Sequence, residues 1–303
     1  MPVKEHKRIE VIEAKEKELE NLKFYKTFEE VEDTGQEKIS MRWVITIKEK
    51  HDGQKQACKA RLVARGFQEL HKRQSDSPTA LRESLKLFLA VSANSNFDLR
   101  AVDIRAAFLQ SEPLKREVFI APPKDIAKDG IIWKLIKPIY GLDDASRKFW
   151  ITVKKIFNEE GLVPLTGDEA FYHKREDDVL KGIVLTHVDD FLMAGTDDFL
   201  ESITKKIEKS LTISKIENNK FRFTGVDIEK TSDGIVAGME DYAASIDSLD
   251  DLRKAPKDEP LTKHEIKLYR KMTGKISWLA ENCRPDLSFY ALDMSKKNAK
   301  ATV

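Results

Sequence analysis

Apolar and polar positions along the chain fall into short blocks whose spacing switches between helical and strand periods. Ile9, Ile12, Leu19 and Leu22 recur at helical spacing in a charged stretch, which predicts a helix over 9–24 with one thin apolar stripe. Arg42-Trp43-Val44-Ile45-Thr46-Ile47-Lys48 alternates like a half-buried strand, His51-Asp52-Gly53-Gln54 supplies turn chemistry, and 57–65 returns as the second arm of a hairpin. An apolar helix is expected over 82–95, then a strand over 97–104 running into a helical turn at 106–109. Short strands follow at 117–120 and 131–136. Asp144 is placed to cap a helix that reaches about Glu160 and ends at Gly161. Strands at 169–174, 179–188 and 190–195 precede a helix from 197 or 198 to about 210. A hairpin of 221–228 with 234–237 comes next, and helices over 240–250, 263–282 and 286–297 complete the chain. Strands and helices mix without strict βαβ alternation, so the fold class read from the pattern is α+β with an antiparallel-rich sheet.

At 303 residues the chain can bury one large core or two ordinary ones. Its 53 Lys and Arg nearly match its 52 Asp and Glu, so net charge points to no polyanionic partner. Local charge does: Arg42, Lys48, Lys50, Lys55, Lys59, Arg61, Arg65, Lys72 and Arg73 form a cationic island against only Glu49, Asp52 and Glu69. Cys58 and Cys283 are far apart and make no metal pattern, as expected of a reducing compartment. No apolar run approaches the roughly 20 residues of a membrane span, and the charged N-terminus carries no signal-peptide core. The expectation is a soluble, cytoplasmic protein without a membrane partner.

The stretch with the most chemical content is Thr186-His187-Val188-Asp189-Asp190-Phe191-Leu192. Two adjacent acids stand between two β-forming runs, which would lift them to a hairpin tip. Crowded carboxylates repel unless a cation lies between them, and carboxylate oxygens suit Mg²⁺. A solvated Asp-Asp turn is the bland alternative. A site for two metals needs a further carboxylate, and Asp103, at the end of a β run that turns into a helix, is the candidate; as an isolated residue it reads equally as a helix cap.

The set of motifs is more specific than any one of them. Lys59-Ala-Arg-Leu-Val-Ala-Arg-Gly-Phe67, Ser77-Pro-Thr-Ala80 and Val102-Asp-Ile-Arg-Ala-Ala-Phe-Leu109 are followed by Trp133-Lys-Leu-Ile-Lys-Pro-Ile-Tyr-Gly-Leu142 and Ala145-Ser-Arg-Lys-Phe-Trp150. His187-Val-Asp-Asp190 and Arg284-Pro-Asp-Leu287 complete the order. In that order and near that spacing, the chain closely resembles the reverse transcriptase of copia-type long-terminal-repeat retrotransposons. The resemblance implies a right-hand polymerase with an antiparallel palm sheet: a charged helix or linker over 1–24, fingers over about 25–100 and 115–150, palm over about 97–114 and 151–230, and a helical thumb over 231–303. It implies no RNase H, integrase or protease domain within these residues.

Functionally the resemblance implies an RNA-directed DNA polymerase working on RNA template, DNA primer, their duplex and deoxynucleoside triphosphates. Asp103, Asp189 and Asp190 match the three carboxylates that hold two Mg²⁺, with Mn²⁺ as a substitute. Phe108 matches the aromatic gate that leaves no room for a 2′-hydroxyl; its alternative role is core packing. Lys59, Arg61 and Arg65 alternate onto one strand face, suited to triphosphate charge or to plain solvation. Gly225 resembles the hairpin that grips the primer, and Gly274 and Trp278, one helical turn apart, resemble the thumb face that tracks a duplex, with Trp278 also readable as core. His187 stands where the family usually has Tyr, Ser146 replaces a usual Pro and Asp76 a usual Phe; none of these removes a metal ligand. The alternative to an active enzyme is a catalytically silent nucleic-acid-binding relic of the same fold. Work in the cytoplasm, including virus-like particles, is the expected setting, with the nucleus as the alternative.

Overall fold

A computed structural model of the chain describes residues 9–48, 57–71, 73–246 and 259–298. The elements are α1 (Ile9–Phe24), β1 (Phe28–Glu32), β2 (Lys38–Lys48), β3 (Ala57–Ala64), α2 (Arg82–Asn94) and β4 (Asp98–Ile104). They continue with β5 (Phe119–Ala121), β6 (Ile131–Leu135), α3 (Ala145–Glu159), β7 (Val163–Leu165), β8 (Asp168–Glu176), β9 (Val179–His187), β10 (Asp190–Gly195) and α4 (Asp197–Ser210). The last are β11 (Ile213–Asn218), β12 (Lys220–Phe223), β13 (Val226–Thr231), β14 (Gly234–Gly238), α5 (Glu240–Ala244), α6 (Lys263–Asn282) and α7 (Ser288–Lys297). Strands and helices are mixed, as the periodicity predicts.

Three sheets organise these elements, in the orders β1-β6-β5-β2-β3, β11-β4-β10-β9-β8-β7 and β12-β13-β14. Every pairing is antiparallel except β2 with β5. The six-stranded sheet is apolar on both faces, which explains why Phe191-Leu192-Met193-Ala194 shows no alternation. Phe191 and Met193 join Phe149, Val153 and Phe157 of α3 and Phe199, Ile203 and Ile207 of α4. Leu192 and Ala194 face the other way, toward Phe88 of α2, Phe221 and Phe223 of β12, and Leu279 of α6. A third cluster fills the five-stranded sheet, with Leu22, Leu62, Ile120 and Trp133 at its centre. Helix α1 is no free linker: its Leu22 belongs to that cluster and its Val11 packs with Ile45 and Ala60.

Several local expectations are corrected by tertiary contacts. Asp144 sits at the N-cap of α3 but makes no side-chain cap. Its two oxygens accept from Arg116 at 2.8 and 3.0 Å, and Arg116 also takes both oxygens of Glu69. Strands β1, β7 and β11 were not expected, because each is a sheet edge with little apolar alternation, and β7 even carries Pro164, tolerated there because an edge strand has a spare side. The helix expected over 240–250 is shorter, ending at Ala244 with Ser245 in a turn, and the turn at 51–54 lies outside the described residues. Gly161 ends α3 as expected: at φ 75° it lets Leu162 N–H reach back to Phe157 O at 3.0 Å. No helix among the described residues is long and apolar enough to cross a membrane.

Candidate active site

The acidic part of the site is made by strand register. β9 and β10 close with His187 opposite Asp190, leaving Val188 and Asp189 as the two-residue tip. Val188 has φ 58°, a left-handed backbone that a β-branched residue adopts only under strain of about 1–3 kcal/mol. On the other side β10 pairs with β4 so that Asp190 lies directly opposite Asp103. Residues directly opposite in an antiparallel pair share a sheet face. Ile104 N–H donates to the Asp189 carbonyl at 2.9 Å and ties the tip to β4. A bulge in β11 between Ile213 and Lys215 turns Ser214 toward β4, where its hydroxyl donates to the Asp103 carbonyl at 3.2 Å and to the Asp103 carboxylate.

The charges in this group work against one another. Burial, then Asp189 and then Asp103 push the Asp190 carboxyl up to about 6. Asp189 is raised by burial, with its own backbone N–H pulling down, Asp103 pushing up, and Arg61 and Lys59 pulling down. His187, half-buried beside Asp189, is lowered by burial, and its Nδ1 finds no hydrogen-bond partner. The donor set, all carboxylate, fits a hard divalent cation. Among the described residues no three acidic, His or Cys side chains close into a ready-made cage.

The cationic part comes from the other sheet. β3 is an edge strand, and alternation sends Lys59 and Arg61 the same way, as expected from the sequence. Arg61 lies over the ring of Tyr140, 5.2 Å from its centroid, and acts electrostatically on its hydroxyl. Burial pushes that hydroxyl up to about 12 while Arg61 pulls it down. Tyr140 is held by a backbone zipper: Ala64 N–H donates to Tyr140 O at 2.8 Å and Gly66 N–H to Gly141 O at 3.1 Å. Gly141 has φ 91°, and a Cβ there would stand 2.1 Å from Ala64 O, so no other residue fits. Phe108, in a 3-10 turn after β4, is half-buried between two clusters with its ring 5.1 Å from Tyr140.

Both parts open onto one cleft of about 400 Å³, lined by Lys59, Arg61, Asp103, Tyr140, Asp189 and Ser214 together with residues of α1. Asp190 and Phe108 adjoin this cleft without lining it. Arg65 is not brought in: it follows the end of β3, its backbone has left the strand, and its side chain is exposed. Gly225 and Trp278 form a separate group. Thr224 and Gly225, with φ 47° and 89°, make the two-residue β12–β13 turn, and the Trp278 ring lies 3.9 Å from the position of a Cβ at Gly225. Trp278 is half-buried in the core beneath Arg82, whereas Gly274 on the same helix faces open space. Tyr140 and Ser214 were not singled out from sequence. Tyr140 lies inside a quoted motif, while Ser214 has no local signal at all.

The fold is mixed α and β, with carboxylates and cations lining one cleft. The family described as Reverse transcriptase (RNA-dependent DNA polymerase) matches residues 25–259, and the chain belongs to that family. Its relatives are polyproteins of copia-type elements. It is 27% identical over 274 residues to the Retrovirus-related Pol polyprotein from transposon TNT 1-94 of Nicotiana tabacum, covering 87% of this chain and 20% of the relative. It is 28% identical over 272 residues to that from transposon RE2 of Arabidopsis thaliana, covering 83% and 18%. The chain thus spans about a fifth of the length of these relatives. Among solved structures it is similar to a foamy viral protease-reverse transcriptase in complex with double-stranded DNA, with a TM-score of 0.51 at 11% identity, over 98% of this chain and 49% of that one. At that identity the likeness concerns the fold alone.

Proposed function

We propose that the chain is the RNA-directed DNA polymerase module of a retrotransposon, adding deoxynucleotides to a primer 3′-hydroxyl on an RNA or DNA template. One observation carries the reading: cations from the five-stranded sheet and carboxylates from the six-stranded sheet open onto a single cleft. A nucleoside triphosphate needs both, since its phosphates require neutralisation and its α-phosphorus must be held in line with the attacking oxygen. In this reading the six-stranded sheet with α2, α3 and α4 is the palm, the five-stranded sheet with α1 the fingers, and α6 with α7 the thumb.

Asp103 and Asp189 would hold two Mg²⁺, or Mn²⁺, with Asp190 in support. Such ions, when bound, activate the 3′-hydroxyl and offset charge on the leaving pyrophosphate. The rest is positioning. Arg61 offers a planar fork and Lys59 a point charge to the phosphates. Ser214 keeps the Asp103 carboxylate turned toward the cleft. Tyr140 is the aromatic wall against which the sugar is read, with Phe108 packed beside it. Gly225 with Trp278, and the bare Gly274 face of α6, give a primer–template duplex close access to backbone.

Primer extension on poly(rA)·oligo(dT) with Mg²⁺ tests the assignment. Asp189→Asn should abolish incorporation and leave duplex binding nearly intact; extension that survives the substitution refutes the catalytic role. A wild-type chain that binds duplex and never extends it would instead mark a silent relic.

A further inference from the structure

One more acidic side chain stands in the same cleft, and it comes from α1. Ala14, Lys17, Glu18 and Asn21, spaced along one helix face, line the cleft beside Lys59, Arg61, Asp103 and Asp189. Glu18 is only 7% exposed, although buried carboxylates are rare without partners. Its partner is backbone: the Leu62 N–H donates to it at 3.2 Å. Leu62 lies between Lys59, Arg61 and the end of β3, and this amide points off the open edge of the sheet, where no strand covers it. Burial pushes the Glu18 carboxyl up, while Leu62 N–H, Arg61 and Lys59 pull it down, so the two cations act on it as they act on Asp189.

Resting on the polymerase reading above, we infer that Glu18 is a positioning residue that takes the electrostatic place of nucleotide phosphates, balancing Lys59 and Arg61 between turnovers and competing with triphosphate and departing pyrophosphate for them. Its hydrogen bond steadies the strand that carries the cations. Its charge weakens their hold on phosphate, which favours release of product. The two effects are separable, because Gln keeps the acceptor oxygen for Leu62 N–H and loses the charge.

The test is steady-state extension of poly(rA)·oligo(dT) with dTTP, with inorganic pyrophosphate as product inhibitor and thermal melting in parallel. Glu18→Gln should lower both the KM for dTTP and the inhibition constant of pyrophosphate by about threefold or more, the size expected of one screened charge in the same cleft. Glu18→Asp, which restores the charge, should return both constants toward wild type. Lys17→Glu, an exposed substitution on the same helix face, should raise both constants and decides the matter should Glu18→Gln fail to fold. Unchanged constants in a folded Glu18→Gln protein, or no response to Lys17→Glu, overturn the inference. A wild-type chain that incorporates no dTTP sinks the polymerase reading itself, a distinguishable outcome.

Discussion

Asp190 should make the metal-free protein less stable than its neutral variant, and the size of the effect can be worked out from the site. Its carboxyl is pushed from the ordinary 3.8 to about 6 by burial, Asp189 and Asp103. That displacement corresponds to about 3 kcal/mol of charging cost at most. The side chain is partly open to solvent, so screening reduces the cost to roughly 1–1.5 kcal/mol. The sign follows from linkage. Between pH 3.8 and about 6 the folded state holds a proton that the unfolded state has released, so the penalty grows through this window and is complete above it. Asp190→Asn should therefore raise the melting temperature in EDTA at pH 8 by roughly 1.5–2.5 °C for a chain of this size. The gain should vanish near pH 4, where the wild-type carboxyl is protonated. Millimolar Mg²⁺ should narrow the gap at pH 8 by relieving repulsion in the wild type. Differential scanning calorimetry at the two pH values is the assay. A variant no more stable than wild type at pH 8, or a gain that persists unchanged at pH 4, would refute the argument from crowded charge.

Other outcomes follow from packing and pairing. Phe108→Ala should cost about 2–4 kcal/mol of stability by opening a cavity between two clusters. The same variant should lose about tenfold or more of its discrimination against ribonucleotides, ~1.4 kcal/mol in the transition state, as measured by primer extension with each sugar; unchanged discrimination at wild-type fold refutes the gate. Arg116→Ala should cost about 3–5 kcal/mol in chemical denaturation, because it strands Glu69 and Asp144, whose side chains are 13% and 7% exposed. Adding Glu69→Gln and Asp144→Asn to Arg116→Met should recover much of that loss, since no unpaired charge then remains.

Local pattern was enough for most elements because each carries its own reason to form. The helix ended by Gly161 and the β9–β10 hairpin are written in caps, turn residues and periodicity, although the tip is Val188-Asp189, with Asp190 already in β10, and the run expected as one strand over 221–228 is broken by the Thr224-Gly225 turn. What the pattern could not report was pairing at the edges. The strand Ile213–Asn218 is charged and half exposed, and it exists only because β4 offers it an edge. Asp144 shows the complementary failure: its position has the chemistry of a cap, yet a partner 28 residues away, Arg116, outcompetes the local backbone. Arg65 fits the alternation of Lys59 and Arg61, but β3 ends one residue too soon for alternation to aim it.

For this protein, then, the chain alone determined the family and singled out Asp103, Asp189, Asp190 and the cationic strand as candidates, because motif order and turn chemistry are properties of residues and their neighbours. Folding decided what those residues face. Register put Asp103 opposite Asp190, a bulge turned Ser214 onto Asp103, a backbone zipper seated Tyr140 under Arg61, and packing of α1 carried Glu18 into the cleft. Each of these depends on which edges and faces meet, and the free energy of such meetings lies in contacts between distant segments, where local sequence is silent.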